Sequence, residues 1–168
     1  LLLLSKISEA RSEQLFEKVR LDEVVFDTSE QIKKLHPDLK LSFEIENNSR
    51  RETDLEVNGE LTLLQIAVMN LLKNAYTYSD DKHVECIIRQ DEKELHLFVR
   101  NHGQVPDLEN TETLFNSFTR GSNTRQKPGS GLGLSIVKRI VTYHNARIEF
   151  RRPGQMINEL VITFPLSA

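Results

Sequence analysis

Two stretches of this chain alternate apolar and polar residues on both sides of a polar turn, and each can bury only one face. "HVECIIRQDEKELHLFVRN", residues 83–101, turns at "DEKE". "ARIEFRRPGQMINELVITFPL", residues 146–166, turns at "RPGQ". Successive side chains of a strand point to opposite faces, so both read as hairpins with one apolar face to cover. A lone hairpin is barely stable in water, so other elements must supply the cover. The helical segments do. "ELTLLQIAVMNLLKNAYTY", residues 60–78, carries a stripe of Leu61, Leu64, Val68, Leu71 and Leu72. "LDEVVFDTSEQIKKLHP" reads as a helix with Asp22 near its start and Pro37 past its end. "LKLSFEIEN" and "DLEVNG" read as strands, and "LENTETLFNSFTRG" as a short helical piece. Helices and hairpins are mixed, not strictly alternating. The fold class expected is an α+β (α/β) two-layer sandwich: a mixed, largely antiparallel sheet covered on one face by helices.

Composition narrows the function. The 168 residues suit one domain, and 28 % charged residues against 38 % hydrophobic ones give a globular balance. A net charge of −3 supplies no global basic field, so nucleic acid is not an expected partner. The single cysteine, Cys86, excludes a disulfide framework and a cysteine metal cluster. Residues 1 to about 18 carry Leu1, Leu4, Ile7, Leu15 and Val19 among charges and read as helical. That seam fits a partner helix and fits packing onto the same domain equally well.

"PGSGLGLSIVKRI", residues 128–140, places Gly129, Gly131 and Gly133 on alternate positions before an apolar helical pattern. It is not a Walker A loop, because Leu134 and Ser135 follow the last glycine. Nor is it a dinucleotide fingerprint, because no strand precedes it. A helix N-terminus nevertheless favours an anion, since its first N–H groups point outward and the dipole is positive there. The bland alternative is a glycine-rich turn.

Asn70 and Asn74 stand four apart, on one face of an apolar helix in which Asn is a poor former. An amide oxygen is a neutral ligand for a hard cation such as Mg²⁺. Surface solvation is the plain alternative. "LFVRNHGQVPD" delivers Asn101 at a strand exit and Gly103 at a turn, where a flat polar ligand would meet both a donor and an acceptor.

Taken together and in order, "NLLKNAYTYS", "NHGQVP", "LFNSFTRG" and "GSGLGL" resemble the N, G1, F and G2 boxes of the catalytic ATP-binding domain of sensor histidine kinases. That domain has the Bergerat fold, shared with gyrase B, the heat-shock chaperone ATPases and the MutL proteins. The resemblance runs from about residue 20 to the end. It implies ATP and Mg²⁺ as cofactors. It implies that Asn74 holds the metal and that Asn70 lies beside the phosphates. Tyr78 would pack near the adenine, Asn101 would meet its amino group, and Gly103 would let the base approach. Gly129, Gly131, Leu132, Gly133 and Leu134 would bind the triphosphate through their backbone, with Arg120 and Lys127 of the lid as phosphate contacts and Arg125 as a weaker candidate. The catalytic set expected is Asn70, Asn74, Arg120 and Lys127.

The resemblance also implies an organisation. Residues 1–18 would be the tail of a dimerisation and histidine-phosphotransfer helix, and 19–168 the catalytic domain. Partners would be the chain's own phosphotransfer helices, in a homodimer, and through them a response regulator. The domain would lie on the cytoplasmic side of an inner-membrane receptor kinase, meeting the membrane only through other segments. Alone it would not autophosphorylate, since none of its five histidines fits the acceptor role.

The sequence departs from the family pattern at three places. Asn101 replaces the usual Asp, Val105 the second G1 glycine, and Thr77 a lysine late in the N box. These departures leave open a degenerate nucleotide-binding module without kinase activity. In hydrolytic relatives Glu stands where this chain has Asn70. An amide has no useful basicity near neutral pH, which argues against water-hydrolysing chemistry.

Overall fold

The structure, a computed structural model, describes residues 16–47, 55–106, 111–116 and 131–166. Strand β1 (Glu17–Arg20) leads into helix α1 (Leu21–Leu35), followed by β2 (Lys40–Asn47) and β3 (Glu56–Gly59). Helix α2 (Leu61–Tyr78) precedes the hairpin β4 (His83–Gln90) and β5 (Glu94–His102). After a 3₁₀ turn at Thr111–Phe115 come α3 (Gly133–Tyr143) and the closing hairpin β6 (Arg147–Gly154) and β7 (Ile157–Pro165).

Both hairpins form, and they join edge to edge in a five-stranded sheet of order β2-β4-β5-β7-β6. β2 runs parallel to β4, and every other neighbouring pair is antiparallel. The parallel pair is possible because α2 crosses over between those strands. Alternation then sorts the faces. Val84, Cys86, Ile88, Leu97, Val99, Leu160 and Ile162 point into the core with Leu21, Ile32, Leu71, Leu72 and Ile140 of the helices. The three helices lie on that face, with α2 between α1 and α3. Among the described residues, the other face holds the small cluster Ile87, Phe98 and Val161, with the guanidinium groups of Arg89 and Arg100 over the Phe98 ring. The mixed two-layer sandwich expected from the sequence is the architecture found.

Two local expectations need correction. Residues 17 and 18 are not helical: Glu17–Arg20 pairs antiparallel with Glu56–Gly59, and Val19 and Val57 face each other, buried. β1 therefore straddles the boundary expected between residues 18 and 19. The closing hairpin turns on Gln155 and Met156, between the paired residues Gly154 and Ile157, two positions beyond the centre of "RPGQ". The short helical piece expected around "TETLF" forms as a 3₁₀ turn.

His144 closes the end of the helical layer opposite the candidate site. Its Nδ1 donates to the Ile140 carbonyl (2.7 Å) and its Nε2 accepts from the Glu60 N–H (3.0 Å). The Phe16 ring stacks on it at 5.2 Å. Burial holds the ring's pKa below the ordinary histidine value, and this outweighs the Ile140 bond and the nearby Glu60 carboxylate. The neutral tautomer is the one whose two bonds are satisfied. Cys86 lies in the sheet's core-facing layer, where burial pushes its thiol up to about 12, so it is packing material and not a nucleophile.

Candidate nucleotide site

The site is built where α2, α3, the exit of β5 and the start of β7 converge. α3 opens at Gly133 with Gly131 two residues before it in the left-handed region (φ 71°), which favours glycine. The position before the helix is Leu132, which offers no side-chain cap, and the first turn carries no acid. Leu132 contributes its carbonyl, which accepts from the Ile136 N–H (3.0 Å) and the Ser135 hydroxyl (2.8 Å). The N–H groups of the first turn have no partner within a helix, so this end is an anion acceptor by construction.

Asn70 sits directly against it. Its Nδ2 donates to the Ile66 carbonyl (2.8 Å), which fixes the amide and turns Oδ1 toward α3. A Cβ placed on Gly133 would stand 3.2 Å from that oxygen. The bond to a carbonyl four residues back also explains how Asn survives inside a helix. Asn74 lies one turn further along the same face, half-buried, and makes no hydrogen bond to another described residue. The structure thus sets Asn70 against Gly133 at the start of α3, with Leu132 and Leu134 on either side of that glycine and Asn74 one turn along α2.

The second part lies at the far end of α2. A Cβ on Gly103 would come within 2.1 Å of the Tyr78 carbonyl oxygen, so only glycine lets the β5 exit lie against the last turn of α2. The Gly103 N–H donates to the Met156 carbonyl (2.9 Å), and the Asp80 N–H to the His102 carbonyl (2.9 Å). Asn101, two residues earlier and on the core face, is 5 % exposed, and its Nδ2 has no hydrogen-bond partner. A buried donor left unpaired costs about 1–3 kcal/mol, which a ligand acceptor would recover. Tyr78 is half-buried beside it. Arg120, Arg125, Lys127 and Gly129 lie outside the described residues.

Of the departures, Thr77 is half-buried on α2, Lys73 is exposed, and Val105 is half-buried just past the turn. One residue escaped the sequence reading. Asn158 pairs with Asn101 across β5 and β7, and its Nδ2 lies 3.4 Å from the Gly103 and Gln104 carbonyls. It holds the turn from behind. The available signal was an Asn breaking the apolar alternation of "MINELVITF", but its role depends on the strand register.

The fold and site define a nucleotide-binding ATPase class, with a glycine-opened helix packed beside an Asn-bearing helix on one face of a mixed sheet. Residues 59–168 match the histidine kinase-, DNA gyrase B- and HSP90-like ATPase family, and the chain belongs to it. Over 142 residues it is 32 % identical to the signal transduction histidine-protein kinase/phosphatase MprB of Mycolicibacterium paratuberculosis, covering 82 % of this chain and 26 % of that protein. The chain thus spans about a quarter of the length of that curated relative. The solved structure of a mycobacterial sensor histidine kinase MprB superposes with a TM-score of 0.72 at 26 % identity, covering 90 % of this chain and 97 % of that one. Full-length ShkA, solved with AMPPNP, shares the fold at TM-score 0.76 and 14 % identity, over 98 % of this chain and 34 % of that one. The domain is therefore the ATP-binding catalytic domain of the histidine-kinase type. Among the described residues, no helix is long and apolar enough to cross a membrane.

Proposed function

We propose that this domain binds ATP with Mg²⁺ and donates the γ-phosphate to a histidine on dimerisation helices, for relay to a response regulator. The observation that carries the reading is the uncapped, acid-free start of α3 set against the fixed Asn70 amide. The backbone N–H groups of Gly133 and Leu134 would hold the phosphates. The neutral amides of Asn70 and Asn74 fit a cation whose charge is balanced by phosphate, because Mg²⁺ needs few protein ligands when phosphates and water supply the rest. Asn74 would be the ligand, and Asn70 would orient a phosphate or a metal-bound water. Mg²⁺ would supply charge neutralisation at the transferring phosphoryl group. Arg120 and Lys127 would add lid cations.

Asn101 would read the base. An amide carries both an acceptor and a donor, so its unpaired Nδ2 gives a ring nitrogen something to accept from. Tyr78 would pack beside the base, and Gly103 would allow its approach. Residues 1–18 would be the end of the phosphotransfer helix and 19–168 the catalytic unit, on the cytoplasmic side of a membrane receptor. A second reading is favoured by Asn101, Val105 and Thr77: a module that binds nucleotide weakly and signals by contact.

Calorimetric titration with ATP, with and without Mg²⁺, separates the two. The donor reading expects saturable binding that Mg²⁺ strengthens and that loses its Mg²⁺ dependence in Asn74→Ala. Joining the domain to its dimerisation helices should then yield phosphohistidine. Absence of binding at millimolar nucleotide would overturn the donor reading and make the contact module the leading one.

A further inference from the structure

On the face of the sheet away from the helices, three side chains outside the nucleotide site converge. Asp81, His83 and His102 each place a ligand-type atom within 4.8 Å of the other two. The register explains the convergence. Val84 pairs with Asn101, so the next antiparallel step sets His83 opposite His102 on the open face, as Val84 and Asn101 face the core. Side chains at directly opposed positions have their Cβ atoms about 5 Å apart.

Asp81 is brought in by the link between α2 and β4. Its Oδ1 accepts from the His83 N–H (3.0 Å) and lies 2.9 Å from the Ser79 hydroxyl, which holds its carboxyl below the usual range. Lys82, between them, takes the left-handed conformation (φ 60°) that folds the link back on itself. A non-glycine residue rarely adopts that region without a local reason.

A second group of similar composition, Asp91, Glu94 and His96, shows what an already satisfied cluster looks like. Both His96 nitrogens are engaged, with Asp91 and Thr163 each at 3.0 Å, and Glu94 is held by Arg147. At the first cluster the His102 ring makes no hydrogen bond to another described residue. The His83 ring has, among the described residues, only a long 3.4 Å contact from Nε2 to the Ser42 hydroxyl.

From this juxtaposition of His83, His102 and Asp81 we propose a binding site for an imidazole-preferring divalent transition metal ion, with Zn²⁺ as its type. Two imidazoles and one carboxylate match the ligand preferences of Zn²⁺, Ni²⁺ or Cu²⁺, not those of Mg²⁺. Tetrahedral Zn²⁺ with bonds of about 2.0–2.1 Å needs ligand atoms ~3.3 Å apart, which exposed side chains reach by rotamer adjustment. Three protein ligands leave one position for water. The ion would clamp the α2–β4 link to the β5 exit, reinforcing the bond from the Asp80 N–H to the His102 carbonyl. The site stands independently of any nucleotide.

The test is a calorimetric titration of the chain, free of any polyhistidine tag and of nucleotide, with ZnCl₂. Saturable binding of one ion is expected, weakened about 10-fold or more in His83→Gln and in His102→Gln. MgCl₂ should give no such binding. A titration of the unmutated chain, followed through histidine ring resonances, covers the case of a variant that misfolds. The rings of His83 and His102 should shift first. No saturable Zn²⁺ binding, equal affinity in folded forms of both variants, or first shifts at His36, His96 or His144 would overturn the site.

Discussion

Helices α2 and α3 lie side by side, yet their N-termini are finished in opposite ways. At the start of α2 the Glu60 carboxylate accepts from the Thr62 N–H (3.2 Å) and the Leu63 N–H (2.9 Å), and the Glu60 N–H itself is taken by His144. That end carries its own anion. α1 lacks a side-chain cap but has Asp22 and Glu23 in its first turn. α3 has neither cap nor acid; glycine and leucine stand there instead. An uncapped helix start forgoes about 1 kcal/mol. Helices that hold themselves together supply their own charge, and the helix that faces the site leaves its charge to be brought by the ligand.

Giving α3 a built-in anion should erase the difference. Leu132→Asp places a carboxylate where it accepts from the first-turn N–H groups. ATP binding should fall about 100-fold, or ~2.8 kcal/mol, while stability stays within about 1 kcal/mol of the parent. Leu132→Asn, a neutral cap, should cost less binding. Calorimetry and denaturant unfolding read the two effects separately. If Leu132→Asp binds ATP as the parent does, phosphate is not held at this helix end.

The converse change strips α2. Glu60→Ala should lower stability by about 1 kcal/mol in a urea titration and leave ATP affinity unchanged. A parallel loss of affinity would mean that the two ends are not independent.

Acid should loosen the closed end of α2. His144 has a folded pKa below its unfolded one, so its contribution is fully present above the ordinary histidine range and is lost as pH falls through the lowered value. Protonation at Nε2 also removes the acceptor for the Glu60 N–H. Unfolding midpoints should therefore drop on acidification below pH ~6.5, and the drop should be smaller in His144→Gln. Identical pH profiles for the two proteins would contradict this. The smallest effect is expected from Gly133→Ala. Helix propensity favours Ala, but its Cβ would press on Asn70 Oδ1 at 3.2 Å. Stability should change by less than about 0.5 kcal/mol, with ATP affinity reduced a few-fold as Asn70 shifts.

The parts of this contrast were unequally legible in the sequence. The apolar stripe of α2 and the alternation of β4, β5 and β7 are period signals, and they predict element type and the face that is covered. The opened helix at Gly133 was visible because three glycines precede an apolar pattern. The pairing of β1 with β3 was not, since a four-residue strand carries too little alternation to outweigh a helical reading of its neighbours. Asn158 behind Gly103, His144 between α2 and α3, and His83 opposite His102 join residues far apart in the chain. Such contacts depend on strand register and helix packing, which no local pattern encodes.

The central claim is that phosphate sits on the open start of α3. The most direct measurement follows the backbone amide resonances of the chain during titration with ATP and Mg²⁺. The account predicts the largest shifts at Gly133 and Leu134, little change at Thr62 and Leu63, and a reduced response in Leu132→Asp. Binding that leaves the Gly133 and Leu134 amides unmoved would contradict it.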